Sequence, residues 1–333
     1  MHTLLLVDDD PDVLATLARG FRRKYTILTA SGGAQAIEFI NTEQIDLIIC
    51  DQRMPDITGD QVLKHADQHQ PESIRILLTG YSDMDLLVNC VNEAHIYQYI
   101  SKPWEPDDLK LMVQRALESL DLQRQLDVAH QQLATAYRDT VVMLCMAAEG
   151  KDEDTSSHLF RVQYYTEALA EAMGYSKEDA EHMGLMSMLH DIGKLYVPDA
   201  ILKKPAKLDN EEWGVMKKHP LHGVKILGEN PFYQQAREIS AGHHEKFDGT
   251  GYPKGLVGEQ TPLEARIVKL ADVFDALTSK RPYKEPWSMG DAMKLIEDES
   301  GLSFDPNIVL KFKELFKQGV LQSIHKRAAH DHS

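Results

Sequence analysis

Five short apolar runs, separated by amphipathic stretches, govern what the first hundred residues of this chain can become. The runs stand at Leu4–Val7, Tyr25–Leu28, Leu47–Cys50, Ile74–Leu78 and Tyr97–Ile100; between them lie Pro11–Phe21, Ala34–Asn41, Asp60–His69 and Asp83–Asn92. Apolar runs of that length, alternating with helical periodicity, are buried strands and their covering helices. Five such units make a doubly wound parallel sheet. Functional residues of such a sheet gather outside the carboxyl ends of its strands. Beyond Pro106 the pattern turns helical. No proline or glycine interrupts Asp107–Glu149, a stretch too long for an ordinary globular helix and suited to pairing with a second helix. Leu109, Val113, Ala116 and Leu120 form one apolar stripe on it. Leu126, Ala129, Leu133, Ala136, Thr140 and Leu144 form another, out of register with the first.

From about Cys145 to Ile324 the chain reads as helices joined by polar loops, with helix starts at Ser176, three before Asp179, and at Asp209, three before Glu212. The expected division is an α/β domain over 1–120, a helical linker with coiled-coil character over 121–144, an all-α domain over 145–325 and a flexible tail over 326–333. A length of 333 residues accommodates two domains. The formal net charge of −16 argues against broad polyanion binding, and 145–325 carries no basic recognition helix, so DNA is not an expected partner. No apolar run approaches the roughly 18–20 residues that span a bilayer, and the start MHTLLLVDDD lacks a basic region and a cleavage site. Cys50, Cys90 and Cys145 are odd in number, far apart and set among apolar residues, as reduced core cysteines of a cytoplasmic protein are.

Two constellations carry chemistry. In the first, Asp8 and Asp9 follow the first strand, Asp51 ends the third, Thr79 ends the fourth and Lys102 follows the fifth. Three converging carboxylates repel one another unless a cation sits among them, and hard oxygen ligands select Mg²⁺. One carboxylate can then attack a phosphoryl donor while Thr79 and Lys102 hold the transferred oxygens. Asp8 or Asp10 alone could equally be a helix cap; the whole set points to a site. VDDD, CDQRMPDITG, LLTGYS and YISKPW together resemble the receiver domain of bacterial two-component response regulators, over roughly residues 1–120. The resemblance implies a flavodoxin-like fold and a cognate histidine kinase. It also implies Asp51 as phosphoacceptor, and Asp8, Asp9, Asp51 and the Arg53 carbonyl as Mg²⁺ ligands. Thr79 and Tyr99 become switch residues, and Lys102 the phosphoryl contact.

In the second constellation, seven of the fifteen histidines lie between His158 and His244. His190-Asp191 and His243-His244 are adjacent pairs, His219 precedes Pro220, and Asp272 sits in the apolar helix LEARIVKLADVFDALTS, where a lone carboxylate is costly unless neutralised. With His158 they supply five imidazoles and two carboxylates, more than one tetrahedral zinc needs and suited to two metals bridged by Asp191. His182 and His222 read as ordinary surface or core histidines.

HDIGK and HHEKFDGTGYP, long, gapped and correctly ordered, resemble the HD-GYP domain, a branch of the HD metal-dependent phosphohydrolases that cleaves cyclic di-GMP; the likeness runs from about Cys145 to Phe316. It implies His158, His190, Asp191, His219, His243, His244 and Asp272 as ligands of iron or manganese. Asp191 and Lys194 become catalytic, with Lys194 one helical turn beyond His190 and aimed at a phosphate. Arg281 and Lys284 become dinucleotide contacts, Asp248–Pro253 the GYP loop, and Glu245 and Asp275 further family positions. The segment KDEDTSSH departs from the family by placing Asp154 where tyrosine is usual. That acid, one helical turn before His158, is expected to hold a third metal or, alternatively, to cap the helix from Thr155.

The reading that results is a phosphorylation-controlled, homodimeric response regulator hydrolysing cyclic di-GMP to pGpG and onward to GMP. It uses two or three iron or manganese ions, with Mg²⁺ in the receiver. The rival readings are a catalytically weak cyclic di-GMP sensor or protein-interaction module, and a general HD nucleotidase.

Overall fold

A computed structural model describes residues 1–80, 95–149, 156–280 and 285–330. The amphipathic stretch Asp83–Asn92 and Cys90 lie outside them. The chain divides into two compact units, Met1–Gln132 and Leu133–Ser333.

The first unit is a five-stranded parallel sheet of β1 (Thr3–Val7), β2 (Thr26–Ala30), β3 (Leu47–Asp51), β4 (Ile74–Thr79) and β5 (Gln98–Ser101), in the order β2-β1-β3-β4-β5. Side chains alternate across the sheet, so each strand feeds two cores. Leu5, Val7, Ile48, Cys50 and Leu77 face α2 (Gly33–Thr42) and α3 (Gly59–His69). Leu4, Leu6, Leu47, Ile49, Ile76 and Leu78 face α1 (Pro11–Phe21) and the first turns of α4 (Pro106–Glu149). Burial on both faces is why these strands read as unbroken apolar runs.

The helix α4 is continuous over 44 residues. Its stripe of Leu109, Val113, Ala116 and Leu120 is buried against the sheet. The second stripe does not enter either core: Leu126 is 48% and Leu133 69% exposed. Further along, Val141, Cys145 and Ala148 turn into the core of the second unit instead.

That unit is all helical: α5 (Ser156–Ala172), α6 (Lys177–Ser187), α7 (Asp199–Leu202), α8 (Asn210–Met216), α9 (His219–Leu227), α10 (Gln234–Gly242), α11 (Leu263–Thr278), α12 (Met289–Asp298), α13 (Pro306–Lys317) and α14 (Val320–His330). A 3₁₀ turn, Ile192–Tyr196, follows the His190-Asp191 pair. Ser176 caps α6 by accepting from the Asp179 amide, and Asp209 with Glu212 forms a capping box on α8. Leu159, Tyr165, Met186, Leu270, Phe274 and Phe312 centre its core.

The tail expected to fray after Lys326 is helical to His330. Leu321 is fully buried and Tyr165 Oη lies 3.2 Å from His325 Nδ1, which anchors α14 and lets it propagate outward. Among the described residues no helix is long and apolar enough to cross a membrane.

Candidate metal centre

At the strand ends of the first unit, Lys102 Nζ lies 2.9 Å from Asp8 Oδ2 and 2.7 Å from Asp51 Oδ1. Asp8, Asp9 and Asp51 each bring an oxygen within 4.8 Å of the others. Burial raises the Asp51 carboxyl above its ordinary value; Lys102 opposes the rise, and Asp8 and Asp9 add to it. Thr79, last in β4, is buried, whereas Tyr99 on β5 and Arg53 after β3 are exposed.

Two fixtures of this pocket escaped the sequence reading. Gln52 and Asp60 hold each other, Nε2 donating to Oδ1 at 2.8 Å and the Asp60 amide to Oε1 at 3.2 Å. Gly59 lies so close that a Cβ there would meet the Asp51 carbonyl oxygen at 2.2 Å.

The second constellation converges in the helical unit from five places: His158 on α5, the turn after α6, the start of α9, the end of α10, and α11. His158, His190 and Asp272 form one group of potential ligands, and Asp191, His219, His243 and His244 another, each with its atoms within 4.8 Å. Asp191 faces both. Its Oδ2 is 3.3 Å from His190 Nε2; its Oδ1 is 3.1 Å from His219 Nε2 and 3.5 Å from His243 Nε2. The other ring nitrogens are tied off. His158 Nδ1 lies 2.7 Å from Asp275 Oδ2. The Nδ1 atoms of His190, His219 and His243 lie 2.8, 2.9 and 3.0 Å from the carbonyls of Ser187, Met216 and Ser240. Such tethers leave four Nε2 atoms directed at one small volume, the arrangement that second-sphere partners impose on metal-ligating histidines.

Among the described residues His190 Nε2 and Asp191 Oδ1 are buried atoms without a hydrogen-bond partner. Buried polar atoms left so are costly, and a divalent cation in each group satisfies them. Mixed imidazole and carboxylate donors suit iron, manganese or zinc.

Burial drives the His244 ring down and keeps it neutral. For His190 burial acts the same way, but the Asp191 and Asp272 carboxylates outweigh it and the ring is pushed up to about 9. Asp275 is held down at about 2 despite burial, because His158 and Arg161 both donate to it.

Other predicted residues fall as follows. His190 and Asp191 lie in a turn beyond α6, not within it, which brings adjacent side chains to bear on the two groups. Lys194 therefore stands on the 3₁₀ turn, not one α-helical turn beyond His190, and its Nζ is 2.9 Å from Asp191 Oδ2. Glu245 is buried and accepts the amides of Lys254 (2.7 Å) and Leu256 (3.1 Å), so it shapes the GYP loop. Asp248 Oδ1 receives the Thr250 amide and hydroxyl, and Tyr252 stacks on His244 with ring centroids 4.6 Å apart. Asp154, Arg281 and Lys284 lie outside the described residues.

Sequence reasoning missed Arg161, buried three residues after His158 and bound to the same Asp275 at 2.5 Å. It also missed Gly193, where a Cβ would meet the His219 carbonyl oxygen at 1.9 Å. Lys269, lowered to about 8 by burial on α11, escaped it too.

Residues 4–114 match the response regulator receiver domain and residues 142–308 the HD domain. Over 290 residues the chain is 36% identical to a cyclic di-GMP phosphodiesterase response regulator of Xanthomonas campestris pv. campestris, covering 82% of this chain and 76% of that one. It is 32% identical over 337 residues to a cyclic di-GMP phosphodiesterase of Thermotoga maritima, covering 95% and 91%. A 3′3′-cGAMP-specific phosphodiesterase of Vibrio cholerae is 42% identical over 174 residues, covering 52% of this chain and 33% of that protein.

Proposed function

The chain belongs to the response regulators that join a receiver domain to an HD domain of the HD-GYP type, and we propose that its output domain hydrolyses the phosphodiester bonds of cyclic di-GMP. The observation that carries this reading is Asp191, which turns one oxygen to each of two ligand groups.

When bound, the ions supply Lewis acidity to the phosphodiester and lower the pKa of a water toward neutrality. The remaining work falls to the chain. Asp191 fixes the spacing of the groups, and the tethered Nδ1 atoms keep His158, His190, His219 and His243 aimed inward. Lys194 sits beside Asp191, where its ammonium offsets charge on a phosphoryl oxygen. Arg281 and Lys284 offset the charge of the dinucleotide, which the chain's net −16 otherwise repels. The donor set favours iron or manganese, and Asp154 adds a carboxylate for a third ion and for conversion of pGpG to GMP.

In the receiver, Asp51 accepts a phosphoryl group from a cognate kinase with Mg²⁺ held by Asp8, Asp9, Asp51 and the Arg53 carbonyl. Lys102 then contacts the phosphoryl group, and Thr79 and Tyr99 respond to it. The exposed stripe of α4 is the seam of a homodimer. Leu126, Ala129, Leu133, Ala136 and Thr140 follow a heptad spacing, which Met143, 65% exposed, continues better than Leu144.

The test is a substrate panel with the full chain loaded with Mn²⁺, or with Fe²⁺ anaerobically. Turnover of cyclic di-GMP above that of 3′3′-cGAMP and of bis(p-nitrophenyl) phosphate, lost in His190→Ala, supports the reading. Binding of cyclic di-GMP without product supports a sensor; equal turnover of unrelated phosphoesters supports a general nucleotidase.

A further inference from the structure

Outward from the metal-ligand groups runs a ladder of rings. His244 is stacked on Tyr252, and the edge of Tyr252 meets Trp213 at a centroid distance of 6.2 Å and an interplanar angle of 72°. Lys217 Nζ lies over both outer rings, 5.7 Å from the Trp213 centroid and 5.5 Å from that of Tyr252. Trp213 remains 43% exposed. A single exposed aromatic needs no explanation. This one stands two ring contacts from a candidate ligand, shares its cation with the GYP tyrosine, and sits on a short helix fixed at its start by the Asp209–Glu212 capping box. Met216, whose carbonyl holds the His219 ring, and Lys217 follow on the same stretch of chain, so the platform is continuous with one member of the ligand group.

We propose that Trp213 and Lys217 form a guanine-base platform: the indole stacks the base and the ammonium meets its O6 and N7 acceptors. This rests on the hydrolase reading above and adds the part of the site that recognises the nucleoside. A phosphodiester seated at the ligand groups carries its bases one ribose away from the phosphorus, on the outer side where Tyr252 and Trp213 stand. Base–aromatic stacking tolerates any base, because each has a π-face. A lysine beside the stack favours guanine, which offers two acceptors on that edge where adenine offers one acceptor and a donor.

The test uses the full Mn²⁺-loaded chain. In the variant carrying Trp104→Phe and Trp287→Phe, Trp213 is the sole tryptophan, and under excitation selective for indole cyclic di-GMP is expected to quench it saturably. Trp213→Ala should raise KM for cyclic di-GMP about tenfold and move kcat far less. Trp213→Phe should restore most of the loss. Bis(p-nitrophenyl) phosphate offers rings that stack but no guanine edge, so Lys217→Met should leave its KM nearly unchanged. Lys217→Met should raise KM more for cyclic di-GMP than for cyclic di-AMP. An unquenched Trp213, or a Lys217→Met defect equally large on the substrate without a guanine edge, overturns the platform. Quenching without hydrolysis leaves the platform standing and sinks the hydrolase reading. Hydrolysis without quenching does the reverse.

Discussion

Asp191 is the residue on which both ligand groups depend, since each of its oxygens faces a different set of imidazoles. Asp191→Asn keeps the shape and removes the charge, so elemental analysis of the purified variant should find at least one ion fewer per chain than in the wild type. An unchanged metal count would remove Asp191 from the bridging role. One step further out, Asp275→Asn weakens the acceptor of both His158 and Arg161 and should lower metal affinity by about 10–100-fold. Gly193→Ala drives a methyl group into the His219 carbonyl. It should cost about 1–3 kcal/mol in chemical denaturation, as overpacking does, and reduce metal content with it. At this scale the candidate ligand groups were legible because HD and HH pairs and the GYP segment are contiguous. Their supports were legible only in part. The resemblance marked Asp275 as a family position, but not that it would meet His158 across 117 positions, and the tethers of His190, His219 and His243 are backbone carbonyls, which every residue has.

The helix α4 carries two faces in succession, one buried on the sheet and one open. Leu126→Gln with Leu133→Gln should convert a dimer to a monomer in sedimentation, with little effect on the receiver's own stability. A wild-type monomer at the same concentration would contradict the seam. Just beyond its buried stripe α4 is pinned by Arg124, whose Nη1 lies 2.6 Å from Asp46 Oδ1, while Asp46 Oδ2 accepts the Thr3 amide at 2.8 Å. Burial alone would raise the Asp46 carboxyl, but the Thr3 amide and Arg124 hold it below its ordinary value. A carboxyl with a lower pKa folded than unfolded adds stability at neutral pH, which fades as the pH falls through the unfolded and then the folded value. Asp46→Asn should therefore cost on the order of 1 kcal/mol at neutral pH and much less in acid. Equal losses at both pH values would mean that packing, and not charge, holds the helix. In the first unit the strands and the described helices were legible to within a residue or two, because burial on both faces leaves a plain apolar signature. The last helix was not: RAAHDHS carries no apolar signal of its own, and α14 reaches His330 from an anchor at Leu321.

A receiver and a metal-dependent hydrolase domain on one chain, joined through a single long helix, make regulation a question of helix geometry. Beryllofluoride, which mimics a phosphoryl group on Asp51, should change either the association state or the hydrolytic rate; a chain indifferent in both would lack this coupling. The order of the two domains was legible in full, since each has several separated motifs. The nucleoside side of the site was not, because Trp213 and Lys217 belong to no motif and gain meaning only beside Tyr252 and His244. Everything turns on whether the two ligand groups hold ions that act on cyclic di-GMP. Metal analysis of anaerobically purified full-length protein, paired with identification of the products from cyclic di-GMP, tests that directly. At least two iron or manganese ions per chain are expected, with pGpG followed by GMP. One ion or none in a folded protein, or a full complement with cyclic di-GMP left intact, would contradict this expectation.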